Sequence, residues 1–129
     1  AVGGDGNLYV NSVFASKLFR IGVNKDGSAG AVTELTPSMK MNQPDGLRSL
    51  GGMRFLQAEG GAGRIEVVTI SGDAATITPI KENEAGLTAM TVARGKVFAL
   101  NGKMNYMRDK ALQGQDPGPV KAEAVALPK

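Results

Sequence analysis

One short motif recurs three times along the chain, and its spacing limits the folds open to it. Gly-Asn-Leu-Tyr-Val-Asn (6–11), Gly-Met-Arg-Phe-Leu-Gln (52–57) and Gly-Lys-Val-Phe-Ala-Leu (95–100) each set a glycine three residues before an aromatic. The aromatics Tyr9, Phe55 and Phe98 stand 46 and 43 residues apart. Corresponding runs follow each motif: KLFRIGV (17–23), GRIEVVTI (63–70) and a shortened KMNYM (103–107), then AVTEL, ATITPI and VKAEAVAL. Runs this short, rich in Val, Ile, Leu, Thr and Phe and bounded by glycine, read as strands. The spacing predicts strands at 8–11, 17–23, 32–35, 47–50, 54–57, 64–70, 76–80, 89–92, 96–100, 104–107 and 121–127. Turns at Lys25-Asp26-Gly27-Ser28, Ser71-Gly72-Asp73, Arg94-Gly95 and Asn101-Gly102 separate them. No segment carries a helical period over ten residues, although Met107–Gln113 fits a single helical turn.

The chain therefore reads as all-β and as one domain. A unit of about 45 residues with four strands is the pattern of a β-propeller blade. A β-sandwich with fortuitous self-similarity is the competing reading. The blade units fall at approximately 1–40, 41–84 and 85–129, close to three in all. Propellers typically close with about four to eight blades, so these three are expected to leave open sheet faces and unpaired edges. The expectation is a partial propeller completed by another chain or segment, with the first unit short of its innermost strand. Association of two or more such chains is a further way to cover the open faces.

Composition narrows the chemistry. Histidine and cysteine are both absent, which removes disulfides, thiolate and Ser-His-Asp catalysis, and His- or Cys-ligated zinc. Hydrolytic chemistry would rest on carboxylates, amides, hydroxyls, Lys, Tyr or a hard cation bound through oxygen. The net charge of +3 is scattered, and the six aromatic side chains form no basic cluster, so nucleic acid is not an expected partner. No apolar run approaches the ~20 residues of a membrane-crossing helix, so no membrane is expected either.

With the units aligned, the chain resembles the C-terminal half of the SMP-30/gluconolactonase family of six-bladed propellers. The resemblance is carried by GDGNLYVNS (4–12), KLFRIGVNKDGSAG (17–30), QPDGL (43–47), GRIEVV (63–68) and the tail GKMNYMRDKALQGQDPGPVKAEAVALP (102–128). It implies a metal-dependent lactone hydrolase acting on a sugar lactone. One divalent ion, usually calcium with zinc, magnesium or manganese as alternatives, would sit at the top of the central channel. Its ligands in the family are a first-blade Glu, the Asn of an Asn-Gly motif and the Asp of a Pro-Asp-Gly motif. Asp45 matches the last of these, and the other two would lie before Ala1. The resemblance also implies a periplasmic or secreted location, a natural C-terminus at Lys129, and a second chain or N-terminal half that supplies the remaining blades.

Asp45 has two readings, as the carboxylate of a Pro-Asp-Gly turn or as that metal ligand. Blade topology places the loops at Asn11–Phe14, Gln57–Gly60 and Asn101–Gly102 on the same rim. Asn11, Phe14, Glu59 and Asn101 are therefore candidate substrate contacts, with ordinary solvated loops as the alternative. Thr88 is placed like Asp45, either at the channel mouth or in inner-strand packing. The sequence names no catalytic residue, and a non-catalytic propeller that binds a ligand or protein is the other functional reading. Lys25–Ser28 is expected to be a hairpin turn and the methionines to fill the core.

Overall fold

A computed structural model of the chain describes residues 1–84 and 86–127. Ala85, Pro128 and Lys129, which fall in the last unit and the C-terminal tail, lie outside the described residues. The fold is all-β, in three sheets of which none closes on itself. The first sheet is a meander of β1 (Leu8–Ser12), β2 (Lys17–Val23) and β3 (Ala29–Glu34). The second contains β4 (Thr36–Pro37), β5 (Pro44–Gly51), β6 (Arg54–Glu59), β7 (Arg64–Ser71) and β8 (Ala74–Lys81), in the order β4-β8-β7-β6-β5. The third holds β9 (Leu87–Ala93), β10 (Lys96–Asn101) and β11 (Ala122–Val125), with the helical turn α1 (Asn105–Arg108) between the last two.

Two of these elements differ from the sequence expectation. Met104–Met107 is not a strand: Asn105–Arg108 is helical, closed by Arg108 N–H to Met104 O and Asp109 N–H to Asn105 O. β11 instead pairs directly with β10. The two-residue β4 runs parallel to β8 along the outer edge of the second sheet. It forms because Thr36 and Ser38 donate their N–H groups to Asp73 and Ala75, which ties the link from the first sheet to the edge of the second. The Lys25–Ser28 turn is as expected. Gly27 takes a left-handed φ of 83° and the Asp26 carboxylate accepts from Ser28 N and Oγ.

The three sheets are layered by two apolar cores. Tyr9, Leu18 and Leu35 of the first sheet and its link meet Phe55, Val68, Ile70 and Ile77 of the second. On the opposite side, Leu56, Ala58, Ile65 and Val67 meet Leu87, Met90, Val97 and Ala99 of the third. The middle sheet is thus covered on both faces, which is why β6 and β7 are buried at nearly every position, polar Gln57, Glu59 and Glu66 included, instead of at alternate ones. The flanking sheets are covered on one face. Across the first sheet, Leu8, Ile21 and Val32 stand in register, with Val10 beside Phe19, on the face away from the core. In the third sheet Phe98 pairs with Thr91 and Ala124, and Leu100 with Ala89 and Ala122, again facing away. The free edge of β1 carries a bridge from Val2 to Leu8 and a bond from Tyr9 N–H to Ala1 O. That is the side on which β5 pairs with β6 in the second sheet.

The repeated aromatics do not share one orientation. Tyr9 and Phe55 face each other across the first core, with ring centroids 4.8 Å apart. Phe98 lies on the outward face, and its neighbours Val97 and Ala99 point inward. The cause is turn geometry. The β9–β10 hairpin turns on Arg94-Gly95 and the β5–β6 hairpin on Gly52-Met53, so Phe55 aligns with Val97 in the ladder. A one-residue slip reverses the face of every side chain. Of the methionines, Met41 and Met90 fill core positions. Met107, expected inside, is exposed, and Met104 lines the cavity described next.

Candidate functional site

Pro44-Asp45-Gly46 is not a β-turn. It opens β5 as a bulge: Pro44 pairs with Glu59 and Leu47 with Gln57, so Asp45 and Gly46 together oppose Ala58. A bulge takes a side chain out of the ladder and re-aims it. The third sheet repeats the device. Leu87 pairs with Asn101 and Ala89 with Leu100, leaving Thr88 as the extra residue. β5 and β9 pack closely here, and a Cβ on Gly46 would lie 2.9 Å from Ala89 Cα and 3.1 Å from Thr88 O. Only glycine allows the two strand openings to approach this far.

Between the two bulges lies a cavity of ≈ 340 Å³, lined by Val13, Gln43, Asp45, Gly60, Gly86, Leu87, Thr88, Met104, Asn105, Arg108 and Asp109. Asp45 and Thr88, expected at equivalent positions, are brought together in it. The other expected contacts are not. Asn11 donates from Nδ2 to Gln57 Oε1 at 3.4 Å, between the first two sheets. Phe14 is 95% exposed, and its neighbour Val13 lines the cavity in its place. Asn101 accepts a bond from Lys103 N at 2.8 Å and lines a separate small cavity with Lys81, Glu84 and Glu123.

Glu59 is fully buried and belongs to a polar cluster. Its Oε2 accepts from Asn42 N at 2.8 Å and from Arg64 Nη2 at 2.9 Å. Next to it Glu66, also fully buried, accepts from Gln57 Nε2 at 2.7 Å, and Arg64 Nε lies 3.4 Å from its other oxygen. Burial first, and then the neighbouring Glu59, push the Glu66 pKa up to about 8, against the opposing pull of Gln57 and Arg64. Glu59 Oε1 and Glu66 Oε2 have no hydrogen-bond partner among the described residues. A proton kept by Glu66 gives its carboxyl a donor toward the neighbouring Glu59. The two carboxylates are sealed from solvent while Arg64 is partly exposed, and Gln57 links the cluster to the first sheet through Asn11.

Sequence reasoning missed Gln43, Asn105, Arg108 and Asp109. Gln43 adopts a left-handed φ of 53° just before Pro44, a conformation uncommon for a residue with a Cβ. It is held there by bonds from Gly60 N–H to Gln43 O and from Gln43 N–H to Ser16 Oγ. Its Oε1 accepts from Arg108 Nη1 at 2.7 Å. The signal for the others was present in Met104, Asn105, Arg108 and Asp109, whose spacing puts them on one side of a helical turn. A strand reading of Met104–Met107 separated Met104 and Asn105 from Arg108 and Asp109, which fell in the helical turn expected at Met107–Gln113; the turn is at Asn105–Arg108.

No protein family, curated protein or solved structure matches the chain. The site must therefore be read from its own atoms. Asp45, Asp109, the Thr88 hydroxyl and the Asn105 amide are oxygen donors of the kind a hard cation takes. They fit such an ion only in part. Among the described residues no group of three or more His, Cys, Asp or Glu converges on one point, and the Arg108 guanidinium shares the cavity wall. Among the described residues, no helix is long and apolar enough to cross a membrane.

Proposed function

We propose that the chain forms three blades of a six-bladed β-propeller, completed by another chain or segment, and that the assembled protein is a metal-dependent lactone hydrolase. The observation that carries this reading is the pair of matched bulges, which aim Asp45 and Thr88 from neighbouring inner strands into one cavity. The uncovered apolar faces of the first and third sheets support completion by further blades, since exposed faces of this kind mark interaction surfaces. The resemblance of QPDGL and the surrounding strands supports the chemistry.

In this reading Asp45 would hold one divalent cation, calcium by preference, and the completing blades would supply the remaining protein ligands. Such an ion polarises carbonyl oxygens and makes bound water more acidic at neutral pH, without need of histidine. The described residues do the rest. Thr88 and Asn105 offer hydrogen bonds to sugar hydroxyls, and Leu87, Val13 and Met104 give the ring an apolar wall. Water adds to the lactone carbonyl, the ring C–O bond breaks, and a hydroxy acid leaves.

Asp45→Asn keeps the shape and removes the charge. In the assembled protein it is expected to lower calcium-dependent hydrolysis of gluconolactone by at least about a hundredfold, the scale on which a missing electrostatic group acts. Bound calcium, measured by elemental analysis, should fall with it. Unchanged activity together with unchanged metal content would remove Asp45 from the site. A non-catalytic binding propeller is the second reading, favoured by the guanidinium of Arg108 on the same wall.

A further inference from the structure

We propose that Arg108 makes this cavity selective for carboxylates, so that its preferred small-molecule ligand is a polyhydroxylated acid, the class to which an opened sugar lactone belongs. The inference deepens the reading above and rests on it only for the identity of the acid.

Arg108 is exposed, lines the cavity and makes one side-chain hydrogen bond, from Nη1 to Gln43 Oε1. Among the described residues it forms no ion pair, although Asp45 and Asp109 line the same cavity. A guanidinium has five donors in a planar fork that matches a carboxylate with two parallel bonds. Most of that fork is still available here. Its aim is also set. Gln43 is locked at three points, its N–H on Ser16, its carbonyl on Gly60 N–H and its amide on Arg108. The backbone under Arg108 is fixed by the α1 turn. A guanidinium positioned by a rigid partner loses less freedom when a ligand arrives.

The rest of the wall fits the remainder of such a molecule. Thr88 and Asn105 bring a hydroxyl and an amide, and Leu87, Val13 and Met104 bring apolar surface. A volume of ≈ 340 Å³ is at the small end of ligand pockets, suited to a six-carbon acid. The two other charged groups in the cavity are carboxylates. Arg108 is thus the residue that decides whether an anion is accepted or repelled.

The test uses the assembled protein with metal removed by chelator, and gluconate and sorbitol as probes of equal length with and without the carboxylate. Calorimetric titration is expected to show gluconate binding more tightly than sorbitol. Arg108→Gln should weaken gluconate tenfold or more and leave sorbitol unchanged, and Arg108→Lys should restore part of the difference. Gluconate binding equal in wild type and Arg108→Gln would overturn the proposal, as would no binding of gluconate to the wild type, or an equal fall for both probes. Because neither turnover nor metal is involved, Arg108-dependent gluconate binding would support this inference even if the protein proves to have no lactone hydrolase activity.

Discussion

Phe55→Ala is expected to destabilise the chain by about 3–5 kcal/mol, the usual range for truncating a buried aromatic. Phe55 is almost wholly buried and stacks obliquely on Tyr9 across the first core. Its loss opens a cavity in the core where Tyr9, Leu18 and Leu35 meet Val68, Ile70 and Ile77, and the exposed Arg20–Asp73 pair at the margin is of little worth in offsetting it. Phe98→Ala is the control. The sequence repeat makes the two residues equivalent, yet Phe98 lies on the uncovered face of the third sheet, and in the isolated chain its truncation should cost about 1 kcal/mol or less. Urea unfolding of both variants decides. Equal losses would contradict the one-residue slip between the two hairpins. If a further blade covers the third sheet, as proposed, truncation of Phe98 should become costly in the assembled protein.

The second large effect depends on pH. Glu66 carries a folded-state pKa of about 8 against an ordinary value of 4.5, chiefly through burial and then through Glu59. The native state therefore keeps a proton that the unfolded chain releases. The associated stability is fully present below about pH 4.5 and is lost as the pH rises to about 8. Glu66→Gln should mimic the protonated acid, since its carbonyl can accept from Gln57 and its amide can donate to Glu59. Urea unfolding from pH 4 to 9 is expected to show the variant close to wild type at the acid end. At the alkaline end it should be more stable by a few kcal/mol, since each pH unit between the folded and unfolded titrations is worth roughly 1.4 kcal/mol. A difference that does not vary with pH would show that Glu66 is ionised in the folded protein.

Much of this architecture was legible in the chain. Lys17–Val23 is a strand with the expected bounds, because β-branched and aromatic residues end at Asn24 and an Asp-Gly turn. Asp45 and Thr88 were readable as equivalent because each opens the first strand of a hairpin. What was hidden depends on contacts distant in sequence. β4 has two residues and exists only because Asp73 and Ala75 accept its bonds. Glu59 looked like a loop carboxylate, but it lies directly across the β6–β7 ladder from Arg64, and the hairpin buries the pair between sheets. The opposite facing of Phe55 and Phe98 could not be read from a glycine-to-aromatic spacing, since the turn that sets the register begins at Gly52 in one hairpin and at Arg94 in the other. Arg108 fell in the helical turn expected at Met107–Gln113, but that turn forms earlier, at Asn105–Arg108, and nothing in the sequence tied it to the cavity. It is the helical turn that carries Arg108 back across the sheet to Gln43, sixty-five residues earlier.

The central claim is that the outward faces of the first and third sheets belong inside a larger ring. Native mass spectrometry tests it most directly. The folded species is expected to exceed the 13.4 kDa of one chain, through a partner or further copies, and to bind hydrophobic dye only after dissociation. A monomer of 13.4 kDa that unfolds cooperatively and binds no dye would contradict it.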